Sequence, residues 1–348
     1  MRDTQRQLHQ QADLLQVVAP NVWEPIAKDP ASAVSLIDEF RERLVREGRR
    51  AEVEHLESPE EFLDHVLKHV PEGALLRDGE GRAIGMAMMQ SISGLGRMVE
   101  FFAVRESHLT PSGLKEFLEC LFSNYQKTSP VLILWDNFRM LDTQPLFSFL
   151  GERGFHRFNR YEMIFSAGRA LPPSPLDAKT PGRIRNVGPG DLEALSRLNA
   201  ICFSGSIDSY LLATTNDQLE NARELMRDLI NGKYGRFMEE ASFGLEVDGE
   251  VVGTSIITRN ADYTLLADVA VHPGYRSKGH ARRLIRASLE VLLREPGIPL
   301  YLNVTRENSH AFRLYRALGF EVKSGPYPLW AHTEGLGISP PQPVEDDD

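Results

Sequence analysis

The feature that most constrains this chain is an order of elements that runs twice. A hairpin signal, Arg77-Asp78-Gly79-Glu80-Gly81, stands inside the apolar stretch from Ala74 to Ile92, and a second, Asp248-Gly249-Glu250, stands inside the stretch from Phe243 to Ile257. The two aspartates are 170 residues apart. Two Gly-Phe stops, Gly154-Phe155 and Gly319-Phe320, each close a short helical pattern and are 165 residues apart. Between hairpin and stop, each half reads as a strand, a helix, a buried strand and a short helix. Ordered anchors at nearly one offset predict a duplicated domain. With 348 residues, the chain is long enough for two cores of ordinary size.

The first half begins with helical spacing from Ser32 to Glu47, closed by Gly48. Ser58-Pro59-Glu60-Glu61 is a helix start, with a cap, a first-turn proline and two acids at the positive end of the dipole. Strands are expected at Met98 to Val104, Val131 to Trp135 and Arg160 to Phe165, with helices at Ser112 to Tyr125 and Gln144 to Glu152. Ala167 to Gly182 has four prolines and no apolar period, the pattern of a linker. In the second half, helices are expected at Asp191 to Ile201 and Gln218 to Asn231, and a last strand at Pro328 to His332. Gly335 to Asp348 ends in four acids and reads as a disordered tail. The expected division is therefore 1–166, a domain with a helical N-terminal extension, 167–182, a linker, 183–334, a second domain, and 335–348, the tail.

Composition excludes several classes. The chain is 42% hydrophobic and 25% charged, as in a globular protein, and its net charge of −10 argues against a broad nucleic-acid surface. Its two cysteines, Cys120 and Cys202, are too few and too far apart for a disulfide framework and suit a reducing compartment. The N-terminus has charges and glutamines where a signal peptide needs an apolar run, and no apolar stretch reaches membrane-spanning length. The expectation is a cytoplasmic protein with no membrane and no nucleic-acid partner.

The chemistry concentrates between Leu265 and Phe320. Arg276-Ser277-Lys278-Gly279-His280-Ala281 links a strand ending at Val271 to a helix with Ala281, Leu284, Ile285, Ser288 and Leu292 on one face. A helix start offers unpaired N–H groups and a partial positive charge, which suits a diphosphate. Gly279 permits close backbone approach, and Arg276, Lys278, Arg282 and Arg283 add charge. By itself the pattern is equally that of a solvated basic helix start. Farther on, Asn308 opens a helix that carries Ala311, Leu314, Tyr315 and Leu318 on one face, and Tyr315 alone reads as a core tyrosine.

Taken together, V-A-V-H-P-x-Y-R-x-x-G-x-A-x-x-L at Val269 to Leu284 and V-x-x-x-N-x-x-A-x-x-L-Y-x-x-x-G-F at Val304 to Phe320 resemble the GNAT superfamily of acyl-CoA-dependent N-acyltransferases. The resemblance implies an α/β (α+β) fold of two tandem GNAT-like domains, each a mixed, mostly antiparallel central sheet flanked by helices. It implies acetyl-CoA as cosubstrate, with no metal. Arg276, Ser277, Lys278, Gly279, His280 and Ala281 correspond to the pyrophosphate cradle, Val269, Ala270 and Val271 to the strand that pairs with the pantetheine arm, and Asn308 to a further coenzyme contact. Tyr315 corresponds to the general acid for the departing thiolate, a role that suits a phenol of pKa about 10. Asp268 is the nearest carboxylate in sequence for a general base, and it is equally a strand residue with a structural partner.

Ribosomal-protein N-terminal acetyltransferases of this family tend to carry a glutamate just before the valine of the second strand; Asn303 stands there, so that subclass is disfavoured. His272 reads as part of a turn, His280 as a solvated histidine and Cys202 as a buried thiol. Phe203 to Phe237, with Asp208, Tyr210 and Tyr234, corresponds to the region that shapes the acceptor pocket. In the first half, Val104 to Gly113 has no R-x-x-G-x-A, Thr143 stands for Asn308 and Leu150 for Tyr315. Domain 1–166 is therefore expected to be a degenerate copy and 183–334 the catalytic one. The expected function is acetyl transfer to a primary amine of a small molecule or peptide, by direct attack in a ternary complex. A non-catalytic acyl-CoA-binding or scaffold protein is the alternative. A tandem of this kind is expected as a monomer, an internal pseudo-dimer, or as a homodimer.

Overall fold

The computed structural model describes residues 22–50, 53, 56, 58–69, 72–92, 94–125, 129–136, 138–166, 168–172, 182–211, 213, 215, 217–294 and 297–342. The glutamine-rich N-terminus, most of the expected linker and the final acids lie outside these residues. The chain forms two compact units that interleave along the sequence.

The first unit takes the chain up to Gln90, Val99–Val131 and Met140–Phe147. Its elements are β1 (Val22–Pro25), α1 (Pro30–Arg46), α2 (Pro59–His69), β2 (Glu72–Arg77), β3 (Ala83–Ile92), β4 (Gly96–Val104), α3 (Pro111–Tyr125) and α4 (Gln144–Gly151), with strands in the order β1-β2-β3-β4. The ends of β3 and β4 and the last turn of α4 are counted with the second unit. Helix α1 buries Ala33, Leu36, Ile37, Phe40 and Leu44. Of the apolar positions whose spacing marks the helix, Val34, Ile37, Phe40, Leu44 and Val45, the structure leaves Val34 half-buried and Val45 exposed, so the buried face is turned toward Ala33 and Leu36. Its start is fixed by Asp29, which accepts from the Ser32 amide at 3.1 Å and the Ser32 hydroxyl at 2.6 Å. Arg77 of β2 adds a bond from Nη2 to Asp29 at 2.7 Å while its Nε reaches Glu24 of β1 at 2.8 Å. The Ser32 hydroxyl and then Arg77 hold the Asp29 carboxyl down at about 2.

The second unit takes Ser91–Met98, Leu132–Arg139 and the chain from Ser148 onward. It contains β5 (Val131–Trp135), β6 (Phe155–Phe165), β7 (Arg183–Asn186), α5 (Leu192–Phe203), α6 (Gln218–Ile230), β8 (Arg236–Phe237), β9 (Phe243–Val247), β10 (Glu250–Arg259), β11 (Thr264–Val271), α7 (His280–Leu292), β12 (Leu300–Thr305), α8 (Ser309–Leu318), β13 (Glu321–His332) and α9 (Thr333–Leu336). The strand order is β5-β13-β6-β12-β11-β10-β9-β7, with β8 also on β10. The β9–β10 hairpin turns at Asp248 and Gly249, whose φ angles of 51° and 84° are both left-handed. This is why Asp-Gly marks the turn in the sequence.

Strand β6 is longer than the periodicity predicts, starting at Phe155 rather than Arg160. It lies between β12 and β13 and is antiparallel to both: Arg160 is the register partner of Thr305 on one side and of Tyr327 on the other. The expected tail also begins differently. Thr333–Leu336 is a helical turn, and Leu336 and Ile338 are buried with Ile207, Leu132 and Phe158. Two apolar side chains within reach of an apolar cluster gain more from burial than from solvation, and here they anchor the segment that carries Ile207.

Candidate active site

The site begins where two parallel strands part. β11 and β12 are in register only at Thr264↔Leu300 and Leu265↔Tyr301, although they run on to Val271 and Thr305. Beyond Leu265 the facing edge of β11 therefore has no ladder partner. The amides on that edge are identified by alternation. The His272 amide donates to the Val252 carbonyl of β10 at 2.9 Å, so the amides of Val271 and Val269 point away from β10, into the gap. Ala270 turns its amide toward β10, so of the three residues expected to meet a pantetheine arm it has no N–H to offer.

A bulge re-aims the side chains of β11. Ile256 pairs with Asp268 and Ile257 with Leu266, which leaves Ala267 as the extra residue. Ser255, the partner of Val269, hydrogen-bonds Ser288 of α7 at 3.0 Å, so Val269 faces α7 and Asp268 faces the opposite side of the sheet. There Asn199 of α5 donates from Nδ2 to Asp268 Oδ1 at 2.8 Å, while Oδ2 has no hydrogen-bond partner among the described residues. Asp268 is only 6% exposed. A hydrogen bond to a charged group contributes about 1.5–3 kcal/mol, against several kcal/mol for burying a carboxylate. Burial prevails, and the Asp268 carboxyl is pushed up to about 7.

Tyr315 approaches from the other face, on α8, edge-on to Phe320 with ring centroids 5.8 Å apart. Its side chain is buried among Ile285, Leu289, Leu302 and Val304, and its hydroxyl has no hydrogen-bond partner among the described residues. Burial, then the charges of Asp268 and Asp208, push the phenol well above its usual range. A tyrosine so placed stays protonated and has its proton to give.

Asp208 follows α5 and belongs to the segment pinned by Ile207 and by the Tyr210 hydroxyl, which donates to the Leu336 carbonyl at 2.6 Å. Asp208 Oδ1 accepts from Arg160 Nη1 of β6 and from the Thr305 hydroxyl of β12 at 2.9 Å, and Arg160 Nη1 also donates to Thr305 Oγ1 at 3.0 Å. The neighbouring Tyr161 packs edge-on against Phe312 of α8. Alternation then turns Arg160 to the face of the sheet that Asp268 occupies.

The remaining expected residues gather at the start of α7. Gly279 caps that helix with a φ of 79° and offers no side-chain bond, so among the described residues the amides of the first turn have no side-chain cap. Ser277 has a left-handed φ of 61° as well, so the loop is held in a shape that aims successive N–H groups at one place. A gap lined by an unpaired strand edge and closed by an uncapped helix start fits an extended acyl-pantetheine arm with a diphosphate.

Residues 208–320 match the family model described as "Acetyltransferase (GNAT) family". The chain carries a GNAT domain. A spermidine N(1)-acetyltransferase of Escherichia coli (strain K12) is 29% identical to it over 126 residues, covering 30% of this chain and 66% of that protein. The fold is similar to that of a GCN5-related N-acetyltransferase from Sphaerobacter thermophilus, with a TM-score of 0.56 at 17% identity over 89% of this chain and 94% of that one. It is also similar to a GCN5-related glucosamine N-acetyltransferase region of a fungal multi-domain enzyme, with a TM-score of 0.55 at 12% identity over 90% of this chain and 38% of that one.

Within the GNAT domain, the cations of the loop first hold the loop itself. Arg276 donates from Nε to the Val271 carbonyl and from Nη2 to the Cys202 carbonyl, each at 3.0 Å, and Lys278 reaches the Gly274 carbonyl at 3.2 Å. Cys202 is half-buried, its thiol pushed up by burial with Arg276 and the outward Val271 amide beside it. His272 caps its turn by accepting from the Gly274 amide at 3.2 Å. His280 is not solvated, as its charged neighbours suggest. It is 1% exposed, with its ring 6.4 Å from that of Tyr275, both ring nitrogens without a hydrogen-bond partner among the described residues, and its pKa lowered by burial and by Arg283 and Lys278. Asn308 caps α8, accepting from the Ala311 amide at 3.3 Å.

Arg160, Thr305 and Asn199 do not stand out in the sequence as site residues. Asn199 carried a signal, an amide in the buried stripe of α5 beside Leu195 and Leu198. Arg160 carried none, because its partners are remote in sequence.

Proposed function

We propose that the protein is an N-acetyltransferase that moves an acetyl group from acetyl-CoA to a primary amine by direct attack in a ternary complex. The coenzyme supplies the activated acyl thioester. Gly279, His280 and Ala281 at the start of α7 offer amides to its diphosphate, and the outward amides of β11 offer pairing to its arm. Asp268, buried and with Oδ2 uncommitted, takes the proton from the attacking amine. The Val269 amide donates to the oxygen that becomes negative as the carbonyl is attacked. Tyr315 gives its proton to the departing sulfur.

The observation that carries this reading is the Tyr315 hydroxyl, kept protonated by burial and two carboxylates beside the gap between β11 and β12. Tyr315→Phe is expected to lower turnover about ten- to a thousandfold, the range for losing a positioned acid, with acetyl-CoA affinity by calorimetry within about twofold of wild type. Unchanged turnover removes Tyr315 from this role. Acetyl-CoA binding without thiol release across amines and peptides favours the non-catalytic alternative.

A further inference from the structure

Arg160 is only partly used by the protein. Both hydrogens of Nη1 are committed, one to Asp208 and one to Thr305, whereas Nε and Nη2 have no partner among the described residues. These two N–H groups form one edge of the planar guanidinium, the edge that receives a carboxylate through two parallel hydrogen bonds. The side chain is 18% exposed, so the edge is reachable but poorly served by bulk water. Asp208 is the complement. Both protein bonds go to Oδ1, which leaves Oδ2 uncommitted on a side chain 23% exposed.

The position of the pair is fixed on three sides. Arg160 and Thr305 are register partners on β6 and β12, and Asp208 is pinned by Ile207 and Tyr210. The Asp208 charge acts on the Tyr315 phenol, so the cluster lies within electrostatic reach of the reacting centre. It occupies the sheet face that Asp268 faces, opposite α7 and its uncapped start. An acceptor on that face meets one fixed cation with a free fork and one fixed anion with a free oxygen.

We propose that Arg160 and Asp208 form the acceptor subsite, and that the acceptor is a zwitterion of the amino-acid class, its carboxylate on the Nε/Nη2 edge of Arg160 and an ammonium or amide N–H on Asp208 Oδ2. This deepens the acetyl-transfer reading and rests on it. A linear polyamine matches the pair poorly, since it has no group for the guanidinium edge and brings positive charge beside Arg160. Arg160 is also supplied by the strand preceding the catalytic half in sequence, so that strand contributes to specificity as well as to the sheet.

The test is coenzyme A release from acetyl-CoA with the full chain, over the twenty L-amino acids and each corresponding carboxamide, with spermidine as the cationic comparator. The expected result is a kcat/KM at least about tenfold higher for an acid than for its amide, the loss of a charged bidentate contact being of that order or larger. Arg160→Lys keeps a cation for Asp208 and removes the fork, and it is expected to bring the acid-to-amide ratio to about one. Calorimetry with acetyl-CoA reports whether that variant is folded. Turnover with acid and amide alike, spermidine as the best acceptor, or an acid-to-amide ratio unaltered by Arg160→Lys overturns this proposal and leaves acetyl transfer standing. Acetyl-CoA binding with no release for any amine overturns the acetyl-transfer reading and this proposal with it.

Discussion

The starts of α3 and α7 occupy corresponding places in the two halves, and they deal with their exposed amides in opposite ways. At α3, the Thr110 hydroxyl accepts from the Gly113 amide at 3.1 Å, and Pro111 has no N–H at all. The turn is closed so tightly that a Cβ at Gly113 would lie 2.3 Å from the His108 carbonyl oxygen. At α7 the cap is Gly279, with no side chain to spend on the amides and a left-handed backbone that leaves them open. Helix starts are commonly stabilised by a local cap, at about 1 kcal/mol each. One copy takes that stabilisation and loses the use of its amides, and the other forgoes it and leaves them open. The same division recurs on the following short helices, where Leu150 is fully buried in α4 and Tyr315 in α8 presents a hydroxyl.

The largest effect is expected from placing the same side chain at both starts. Gly279→Val forces a β-branched residue to a φ of 79° and is expected to abolish acetyl-CoA binding in calorimetry. Gly113→Val is expected to lower the melting temperature, because of the His108 clash, while acetyl-CoA affinity measured below the transition stays within about twofold. Equal loss of binding in both variants would mean that the capped start also holds coenzyme.

A smaller effect is expected from the buried carboxyl. As the proposed base, Asp268 has to lose its proton to act, so kcat is expected to rise with pH through about 7, and Asp268→Asn should remove that limb. The Asn199 bond lowers the carboxyl pKa, so Asn199→Ala is expected to move the limb to higher pH, which a purely structural role for Asn199 would not do. Stability runs the opposite way for this group. Its folded pKa lies above the unfolded carboxylate value, so its contribution declines as pH rises from about 4 toward 7.

The smallest expected effect lies in the first unit, at Asp29. Its folded pKa of about 2 is below the unfolded value, so its contribution is complete above about 4 and disappears as pH falls toward 2. Asp29→Asn should flatten that part of the pH–stability curve and leave coenzyme binding unaffected.

Much of this was legible because it is local. Asp248-Gly249 announces its hairpin through the φ angles such a turn demands, and the spacing of Leu284, Ile285 and Ser288 gives both the helix and its buried face. The loop from Arg276 to Ala281 was legible for the same reason, since an uncapped helix start is a matter of neighbouring residues. What sequence reading misses depends on pairing at a distance. Period and propensity contain no information on which strand lies beside β6, so neither its place between β12 and β13 nor the bond from Arg160 to Asp208 follows from them. The burial of His280 was missed because a histidine among Lys278, Arg282 and Arg283 suggests solvent, whereas the first residue of α7 is buried beside Tyr275.

Strand β6 also bears on how the protein is made. Phe155 to Phe165 leaves the ribosome long before Leu300 to Thr305 and Glu321 to His332, the segments that pair with its two edges. Until then a strand with buried positions at Phe158, Met163 and Phe165 has to wait with both rows of hydrogen-bonding groups bare. The synthesis of β12 and β13 then sets the earliest moment at which the sheet of the second unit closes.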